Sequence, residues 1–256
     1  MLTSVLPQAL PTISRMFIHL RLHTEFSVVD STCRIDEIVR AAAADAQPAL
    51  AITDLNNLFG GIKFYKAARA AGVKPLIGAE LFVQGQGSDA QATSRLLVLV
   101  QNQQGYLNLC ELLSRAWTVN VVKAQGVCKL AWLAELNAGL IALSGAQAGA
   151  VGQALAQGQY RTQAEDLAAA SAMALELAGL FPNRFYLELQ RAGRPDDEAH
   201  VTATVLLAAR LGLPVVATHP VQFTQPDDYE AHEARVCISE GEILANPRRT
   251  RKFTRE

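Results

Sequence analysis

The sequence lacks the features that most quickly assign a chain to a protein class. Its four cysteines are widely separated, so neither a Cys-x-x-Cys zinc site nor a disulfide framework is indicated. Reduced thiols in a cytoplasmic protein are the simplest interpretation. No apolar run reaches the roughly 18–20 residues that a membrane-spanning helix needs. No Gly-x-Gly-x-x-Gly turn occurs, which weakens the case for a nucleotide-binding, doubly wound sheet.

Charge is also scarce. Only 18% of the residues are charged and the formal net charge is -1, which argues against nucleic-acid binding through overall charge. Residues 1–15 contain two prolines and have no basic segment before an apolar core. They therefore predict a disordered leader, or an upstream start before Met16, rather than a signal peptide.

Hydrophobic residues, by contrast, make up 50% of the 256 residues, enough for one large α/β barrel or two small domains. Strand-like and helix-like runs alternate, which predicts a barrel or a doubly wound sheet. The predicted strands are 17–22, 49–53, 75–83, 96–100, 140–144, 185–189 and 215–218. The predicted helices are 36–46, 61–71, 105–117, 162–180, 196–211 and 227–240, and segments 83–94 and 119–128 are predicted surface loops.

The most informative segment is Phe17–Ser27, because it resembles a metal site with one ligand replaced. If residues 17–22 form a strand, then His19, Arg21 and His23 point to the same side at its C-terminal end. In a βα barrel that end carries the chemistry. A His-x-His pair there would suit zinc and similar ions, but a guanidinium cannot coordinate a cation. Other polar residues predicted at strand ends are Asp54, Glu80, Gln101, Ser144, Gln190 and His219.

Several linked segments resemble one family, the polymerase and histidinol phosphatase (PHP) domain, in the version found at the N-terminus of bacterial DNA polymerase III alpha subunits. The segments are His19–Asp30, Ala49–Asn56, Gly61–Tyr65, Gly72–Glu80, Leu140–Gly145, Phe185–Leu189, Pro214–Thr218 and Tyr229–Arg235. The resemblance covers about residues 16–256 and implies a distorted seven-stranded βα barrel. It divides the chain into the leader 1–15, a barrel domain 16–245 and a basic linker 246–256 toward a polymerase palm domain.

Metal-binding members of that family hold divalent ions with strand-end His, Asp, Glu and Cys side chains. Carried over by position, the resemblance implies that His23, Asp30 and Glu80 keep ligand-type residues, and Asp54 also remains. Six positions have lost them: Arg21, Leu55 and Arg95 stand at histidine positions, Ala146 at a cysteine position, and Pro220 and Gln222 at an Asp-x-His pair. We therefore expect no catalytic residues and no metal, with His23, Asp30 and Glu80 as the ligands if any ion binds.

The two arginines suggest compensation. Without cations, Asp30, Asp54 and Glu80 would repel one another by on the order of 4 kcal/mol per pair at ~4 Å and an effective dielectric near 20. The hypothesis is that Arg21 and Arg95 replace the metal charge and bind these carboxylates through paired hydrogen bonds.

Plainer interpretations remain open for single residues. His23 could be a hydrogen-bonded barrel histidine, Asp54 a helix cap and Glu80 an exposed loop residue. His200 and His232 lie in helical patterns and are predicted to be surface residues. The basic tail, with Arg248, Arg249, Arg251, Lys252 and Arg255, is a solvated end or an arm that contacts DNA or a partner.

The resemblance implies a part of a replicative polymerase in the cytoplasm, whose absent polymerase domain would use magnesium. The first hypothesis is a metal-free scaffold that supports this polymerase and docks the epsilon proofreading exonuclease. The second is an active metal-dependent phosphoesterase, such as a 3′–5′ exonuclease or a pyrophosphatase, that uses His23, Asp30 and Glu80, with Asp54 or His219 as further candidate ligands. The third is a standalone phosphatase of the histidinol phosphate type.

Overall fold

The computed structural model describes residues 17–28, 30–85, 92–246, 248–249, 251 and 254. The predicted leader, Met16 and the remaining tail residues lie outside the described residues. The helices are α1 (Ile35–Ala44), α2 (Gly61–Ala70), α3 (Gln103–Val119), α4 (Leu130–Leu136), α5 (Ala150–Gln157), α6 (Ala168–Leu180), α7 (Asp197–Leu211) and α8 (Tyr229–Glu240). The strands are β1 (Ala49–Ile52), β2 (Lys74–Gln84), β3 (Thr93–Val100), β4 (Val121–Val122), β5 (Gln125–Gly126), β6 (Leu140–Leu143), β7 (Phe185–Gln190) and β8 (Val215–Thr218).

Six of these strands form one sheet in the order β1-β2-β3-β6-β7-β8. Three neighbouring pairs are parallel, namely β1 with β2, β6 with β7 and β7 with β8. Strand β3 is antiparallel to both of its neighbours, β2 and β6. No helix separates β2 from β3 among the described residues, and two strands joined without a crossover pair in opposite directions. The fold is therefore mixed α/β.

The predicted first strand, residues 17–22, does not form a ladder. Leu22 makes only an isolated parallel bridge with Val221, which follows β8. The carbonyls of His19 and Leu22 accept hydrogen bonds from Ala51 and Thr53 on the β1 side, while the amide of His23 donates to Val221. The backbone hydrogen bonds of this extended segment are divided between the β1 side and Val221. The segment therefore links the two edges of the sheet, β1 and β8, but does not form a regular strand with either. The described sheet has six strands rather than the predicted seven.

The sheet curls around an apolar interior. Leu97 and Leu99 of β3 point to the inside with Ala51 and Leu143, whereas Leu96 and Val98 face the helices. This is the alternation expected of neighbouring strand residues. Partly buried residues from β2, β6, β7 and β8 and from the joining segment complete the inner cluster, namely Leu20, Leu76, Ile141, Tyr186 and Val216. The interior beneath the strand ends is thus filled with side chains.

Three elements were not predicted from the sequence: helices α4 and α5 and the β4–β5 hairpin. The hairpin lies in segment 119–128, which was predicted to be a loop, and its strands are only two residues long. Helix α5 contains Gly152, a residue type that disfavours a helix. A Cβ at this position would lie 2.0 Å from the Ala146 carbonyl oxygen. Close packing therefore requires this glycine within a helix.

The described part of the tail lies against the body of the domain. Arg249 binds the buried carboxylate of Glu233, and the Thr254 hydroxyl donates to the Ala192 carbonyl. These two tail residues are therefore not simply solvated. No helix within the described ranges combines the length and the apolarity needed to cross a lipid bilayer.

Candidate functional site

The candidate site lies on the inner cluster, where several polar side chains follow apolar ones at two-residue spacing. On β7, Tyr186 belongs to the inner cluster and Glu188 follows it two residues later. On β2, Leu76 belongs to the same cluster and Glu80 lies four residues further on. A strand period of two puts these carboxylates on the interior side. Glu80 lines a cavity of about 440 Å³.

Arg21 joins the two buried glutamates. Its guanidinium binds Glu188 with both oxygens engaged, at 2.9 Å from Nε to Oε1 and 3.1 Å from Nη2 to Oε2. Its Nη1 donates to Oε1 of Glu80 at 2.5 Å. Arg21 is 6% exposed, and the two glutamates are 2% exposed or less. A fork-shaped cation between two carboxylates is a geometry that lysine could not reproduce.

Glu80 is the centre of the network. Its other oxygen, Oε2, accepts a hydrogen bond from Nη1 of Arg95 at 2.9 Å and lies 2.9 Å from Nε2 of His23. The His23 contact is a charge contact rather than a well-directed hydrogen bond. Arg95 also places its guanidinium 4.4 Å from the centroid of the Phe82 ring. Glu80 thus contacts three basic side chains.

His23 also contacts Asp30, whose Oδ1 lies 2.9 Å from Nδ1 of the imidazole. Burial alone would lower the pKa of His23, but Asp30 and Glu80 raise it to about 9. Burial alone would raise the pKa of Glu80, but Arg21 and Arg95, with His23, hold it well below its usual range. At neutral pH the network therefore consists of protonated His23 and ionised Glu80.

Asp54 does not join this network. Its carboxylate accepts hydrogen bonds from the Thr24 amide at 2.6 Å, the Thr24 hydroxyl at 2.8 Å and the Ser27 hydroxyl at 2.8 Å. Burial raises the pKa of Asp54, and these hydrogen bonds oppose the rise. Asp54 does not cap α2, which begins at Gly61.

The hypothesis that arginines bind three carboxylates therefore holds for Glu80 alone. Asp30 is bound by His23, and Asp54 by neutral donors. Glu80 is also not an exposed loop residue, because it is 2% exposed within β2.

The remaining predicted positions surround the network. Leu55 is buried and forms an isolated bridge with Glu80. Ala146 is buried in a 3₁₀ turn, Ala146–Ala148. Pro220 and Gln222 line the cavity beside Arg21. The strand-end positions are therefore gathered in space, although their assignment as former metal ligands stays a prediction.

Three of the histidine predictions were wrong. His19 does not share the side of Arg21 and His23, since its ring lies 6.5 Å from that of His219 in a separate cavity. The divided backbone pairing of residues 19–23 breaks the strand alternation on which that prediction rested. His200 and His232 are not surface residues, being 2% and 0% exposed. His200 lies near Thr204 and Tyr160, and His232 contacts the Asp30 carbonyl and Phe223.

Sequence reasoning missed Glu188, whose carboxylate has five polar contacts against three for that of Glu80. Besides Arg21, it accepts from the Gly145 amide, the Gln190 amide and the Thr218 hydroxyl. The available signal was a single acidic residue inside the otherwise apolar strand pattern Phe185–Leu189. Arg194, which lines the same cavity from the β7–α7 connection, was also missed.

The donor set does not suit a divalent cation. Both nitrogens of His23 face carboxylates and its pKa is raised, so the imidazole has no free lone pair at neutral pH. The oxygens of Glu80 are taken by guanidiniums. In the described ranges, no group of three or more His, Cys, Asp or Glu side chains is arranged to hold a metal ion. The arrangement instead links the 17–23 segment to β2, β3 and β7 through buried ion pairs.

Comparisons with known proteins identify one family and several relatives of this chain. A family model described as "PHP domain" matches residues 19–192. The DNA polymerase III alpha subunit of Pseudomonas fluorescens is 44% identical over 238 residues, and that of Neisseria meningitidis serogroup A is 47% identical over 243 residues. Each alignment covers 93% of this chain and 20% of the relative, so the chain spans about a fifth of the length of these curated relatives. A solved amidohydrolase from Chromobacterium violaceum is similar at a TM-score of 0.46 and 15% identity, over 85% of this chain and 96% of that one.

Proposed function

The chain belongs to the PHP domain family, and from this premise we propose that it is the N-terminal PHP domain of a DNA polymerase III alpha chain, serving there as a scaffold with a degenerate site. The identity to two such subunits supports this assignment. We also propose that the extended segment 17–23 closes the six-stranded sheet as an irregular seventh barrel element. Its hydrogen bonds to both β1 and Val221 support that closure.

One observation carries the proposal of a metal-free site: the guanidiniums of Arg21 and Arg95 occupy both oxygens of Glu80. In a catalytic metal site, this carboxylate would bind a metal ion that keeps one coordination position open for water or substrate. Here side-chain cations supply the positive charge permanently. The site therefore contributes rigidity rather than hydrolysis.

In this proposal the full-length protein synthesises DNA in the cytoplasm, and its magnesium is held by a separate polymerase domain. Residues 246–256 form the basic linker between the two domains. The PHP domain would also dock the epsilon proofreading exonuclease, which makes a hydrolytic site within this barrel unnecessary.

Metal content and hydrolysis test the proposal directly. The purified chain, dialysed against manganese or zinc, should retain less than stoichiometric metal and should not hydrolyse a phosphodiester or pyrophosphate. His23→Ala serves as the matched variant, since it removes a ligand-type residue. Stoichiometric metal, with turnover that is lost in His23→Ala, would instead establish the active phosphoesterase.

Docking of the exonuclease is tested separately by sedimentation of this chain mixed with an epsilon-type proofreading subunit. A complex that moves faster than either component is the expected result. Independent sedimentation of the two proteins at concentrations well above micromolar would remove docking from the proposal while leaving the scaffold role intact.

A further inference from the structure

The outer face of α2 carries aromatic and basic side chains. The helix buries Phe64 and Ala68, so residues on its opposite face are directed to solvent. The exposed residues of this face, with one residue from the turn before the helix, are Phe59, Ile62, Tyr65, Lys66 and Arg69, and we call them the α2 stripe. Phe59, Ile62 and Tyr65 are 75%, 71% and 52% exposed. Large apolar side chains exposed next to one another are typical of a binding surface.

The charge of the α2 stripe is positive and is not neutralised locally. The sequence has no acidic residue from 55 to 79, but this interval contains four basic ones, Lys63, Lys66, Arg69 and Lys74. Lys63 pairs with Glu25 and Asp36 on one side of the helix. Within the described ranges, the side chains of Lys66 and Arg69 make no ion pair and no hydrogen bond. The stripe therefore suits an anionic ligand, although the formal net charge of the whole chain is -1.

A third aromatic ring lies next to the turn that leads into α2. Nε1 of Trp117 donates to the Asn56 carbonyl at 2.8 Å, and the ring is 43% exposed. The turn itself is held by hydrogen bonds, since the Phe59 amide donates to Oδ1 of Asn57 and Nδ2 of Asn56 donates to the Gly126 carbonyl. Residues 112–134, which include Trp117, also contain no acid. The exposed rings are therefore presented on fixed backbone in a basic environment.

We propose that the α2 stripe binds single-stranded nucleic acid, with Phe59 and Tyr65 stacking on bases and Lys66 and Arg69 contacting phosphates. Exposed aromatic rings beside unpaired cations are the combination that binds single strands without reading their sequence. A duplex keeps its bases stacked on one another, so it could use the cations but not the rings. Two of the three apolar side chains of the stripe are aromatic and Trp117 adds another ring, which favours bases over a protein partner. None of the residues that line the strand-end cavity belongs to this surface.

Fluorescence anisotropy of a labelled oligodeoxythymidine of about 10 nucleotides, titrated with this chain, tests the proposal. We expect saturable binding with a Kd of roughly 10⁻⁴–10⁻⁶ M. Tyr65→Ala should weaken binding about tenfold because a stacked base is lost, whereas Tyr65→Phe keeps the ring and should bind like the wild type. Tyr106→Ala is the matched control, because Tyr106 is an exposed tyrosine in the first turn of α3, at the other end of that helix from Trp117. It should leave binding unchanged.

The salt dependence of binding measures the contribution of the cations separately from that of the rings. For single strands, the slope of log Kd against log salt concentration is about 0.7 for each phosphate neutralised. Arg69→Gln should therefore weaken binding and lower this slope by about 0.7, whereas Tyr65→Ala should weaken binding at an unchanged slope. Arg210→Gln is the matched control, because Arg210 is likewise an exposed arginine in the last turn of a helix. It should change neither quantity.

Lack of saturable binding at low salt, or equal effects of Arg69→Gln and Arg210→Gln, would overturn the proposal. Binding that is lost in Arg251→Gln but kept in the α2 variants would assign it to the basic tail instead. A duplex of equal length that competes as well as the single strand would show that the rings contact no bases. Equal competition by polyglutamate of the same charge would also contradict the proposal and assign the stripe to an acidic protein. Circular dichroism checks that each variant is folded, and if Tyr65→Ala is not, the arginine pair decides.

Discussion

Glu80 shows how basic side chains can stabilise a buried carboxylate. Its carboxylate is almost fully buried, and an isolated charge there would cost several kcal/mol. Three basic side chains approach it from two elements, the 17–23 segment and β3. The network is strong only as a whole, because removal of one cation leaves a buried acid uncompensated.

Replacing Arg21 by methionine tests this dependence. Arg21→Met keeps much of the side-chain volume but leaves both Glu80 and Glu188 without their shared cation, so the free energy of unfolding should fall by about 3–5 kcal/mol. Urea denaturation followed by circular dichroism measures the change. Arg191→Met, which breaks an exposed pair with Glu198, should hardly move the midpoint.

The double variant Arg21→Met with Glu188→Gln separates charge from packing. Its loss of stability should be smaller than that of Arg21→Met alone, since the neutral amide no longer needs a cation. Equal losses in the single and double variants would show that packing, not the ion pair, stabilises this position.

The pKa of His23 predicts a pH dependence with a definite sign. Because folding raises this pKa from 6.5 to about 9, the contribution of His23 to stability is fully present below pH 6.5 and is lost as pH rises through about 9. The stability difference between the wild type and His23→Gln, measured by urea denaturation, should therefore shrink across this interval. A difference that stays constant or grows would contradict the network.

The stabilisation by Glu80 depends on pH in the opposite direction to that by His23. Its folded-state pKa lies well below the usual value, so its stabilisation is present above pH 4.5 and is lost as pH falls further. Between these limits the ion network is complete.

The sequence indicated that Arg21 and Arg95 bind buried carboxylates, but it did not indicate all the carboxylates that they bind. Arg21 and Arg95 were predicted to bind carboxylates, and both contact Glu80. Their other partners depended on which strands become neighbours. Glu188 lies 167 residues from Arg21 along the chain, and its strand pattern alone could not indicate a contact at that separation.

Among the elements, four strands of the main sheet were predicted closely. β1, β2, β7 and β8 follow from uninterrupted apolar or alternating patterns, and each lies within two residues of its predicted bounds. Short elements such as the β4–β5 hairpin carry too few residues for a pattern. Helix α5 was missed because its one glycine, Gly152, serves close packing, which only the folded neighbours define.

The turn between β6 and α5 connects element packing to the site. Gly145 adopts a φ of 82° and donates its amide to Glu188, while a Cβ on Gly149 would lie 1.6 Å from the Ser144 carbonyl oxygen. Gly149→Ala should therefore destabilise the fold by about 1–3 kcal/mol through overpacking.

Gly61→Ala is the matched control, since a Cβ at this first residue of α2 meets nothing within 4 Å. It should be neutral or slightly stabilising. Thermal denaturation of both variants measures the difference. If the two glycine variants unfolded at the same temperature, the turn would not be the rigid support of Glu188 that its contacts indicate.

At the level of the whole molecule, the interior clusters and the ion network meet at one end of the curled sheet. The joining segment 19–23 contributes to both, because Leu20 lies in the inner cluster and Arg21 and His23 lie in the network. The sequence pattern indicated a barrel, but not that this segment would divide its hydrogen bonds between β1 and Val221. That division depends on the curvature of the complete sheet.

Because the positive charge of the site is covalently part of the chain, the stability of the whole domain should not depend on divalent ions. Thermal unfolding should give the same Tm in EDTA and with added magnesium or manganese. An ion present at a hundred times its Kd for the folded state would add about 2.7 kcal/mol, which raises Tm by several degrees in a protein of this size. A saturable rise of that magnitude, absent from His23→Ala, would mean that the folded domain still recruits metal and that the arginines yield to it.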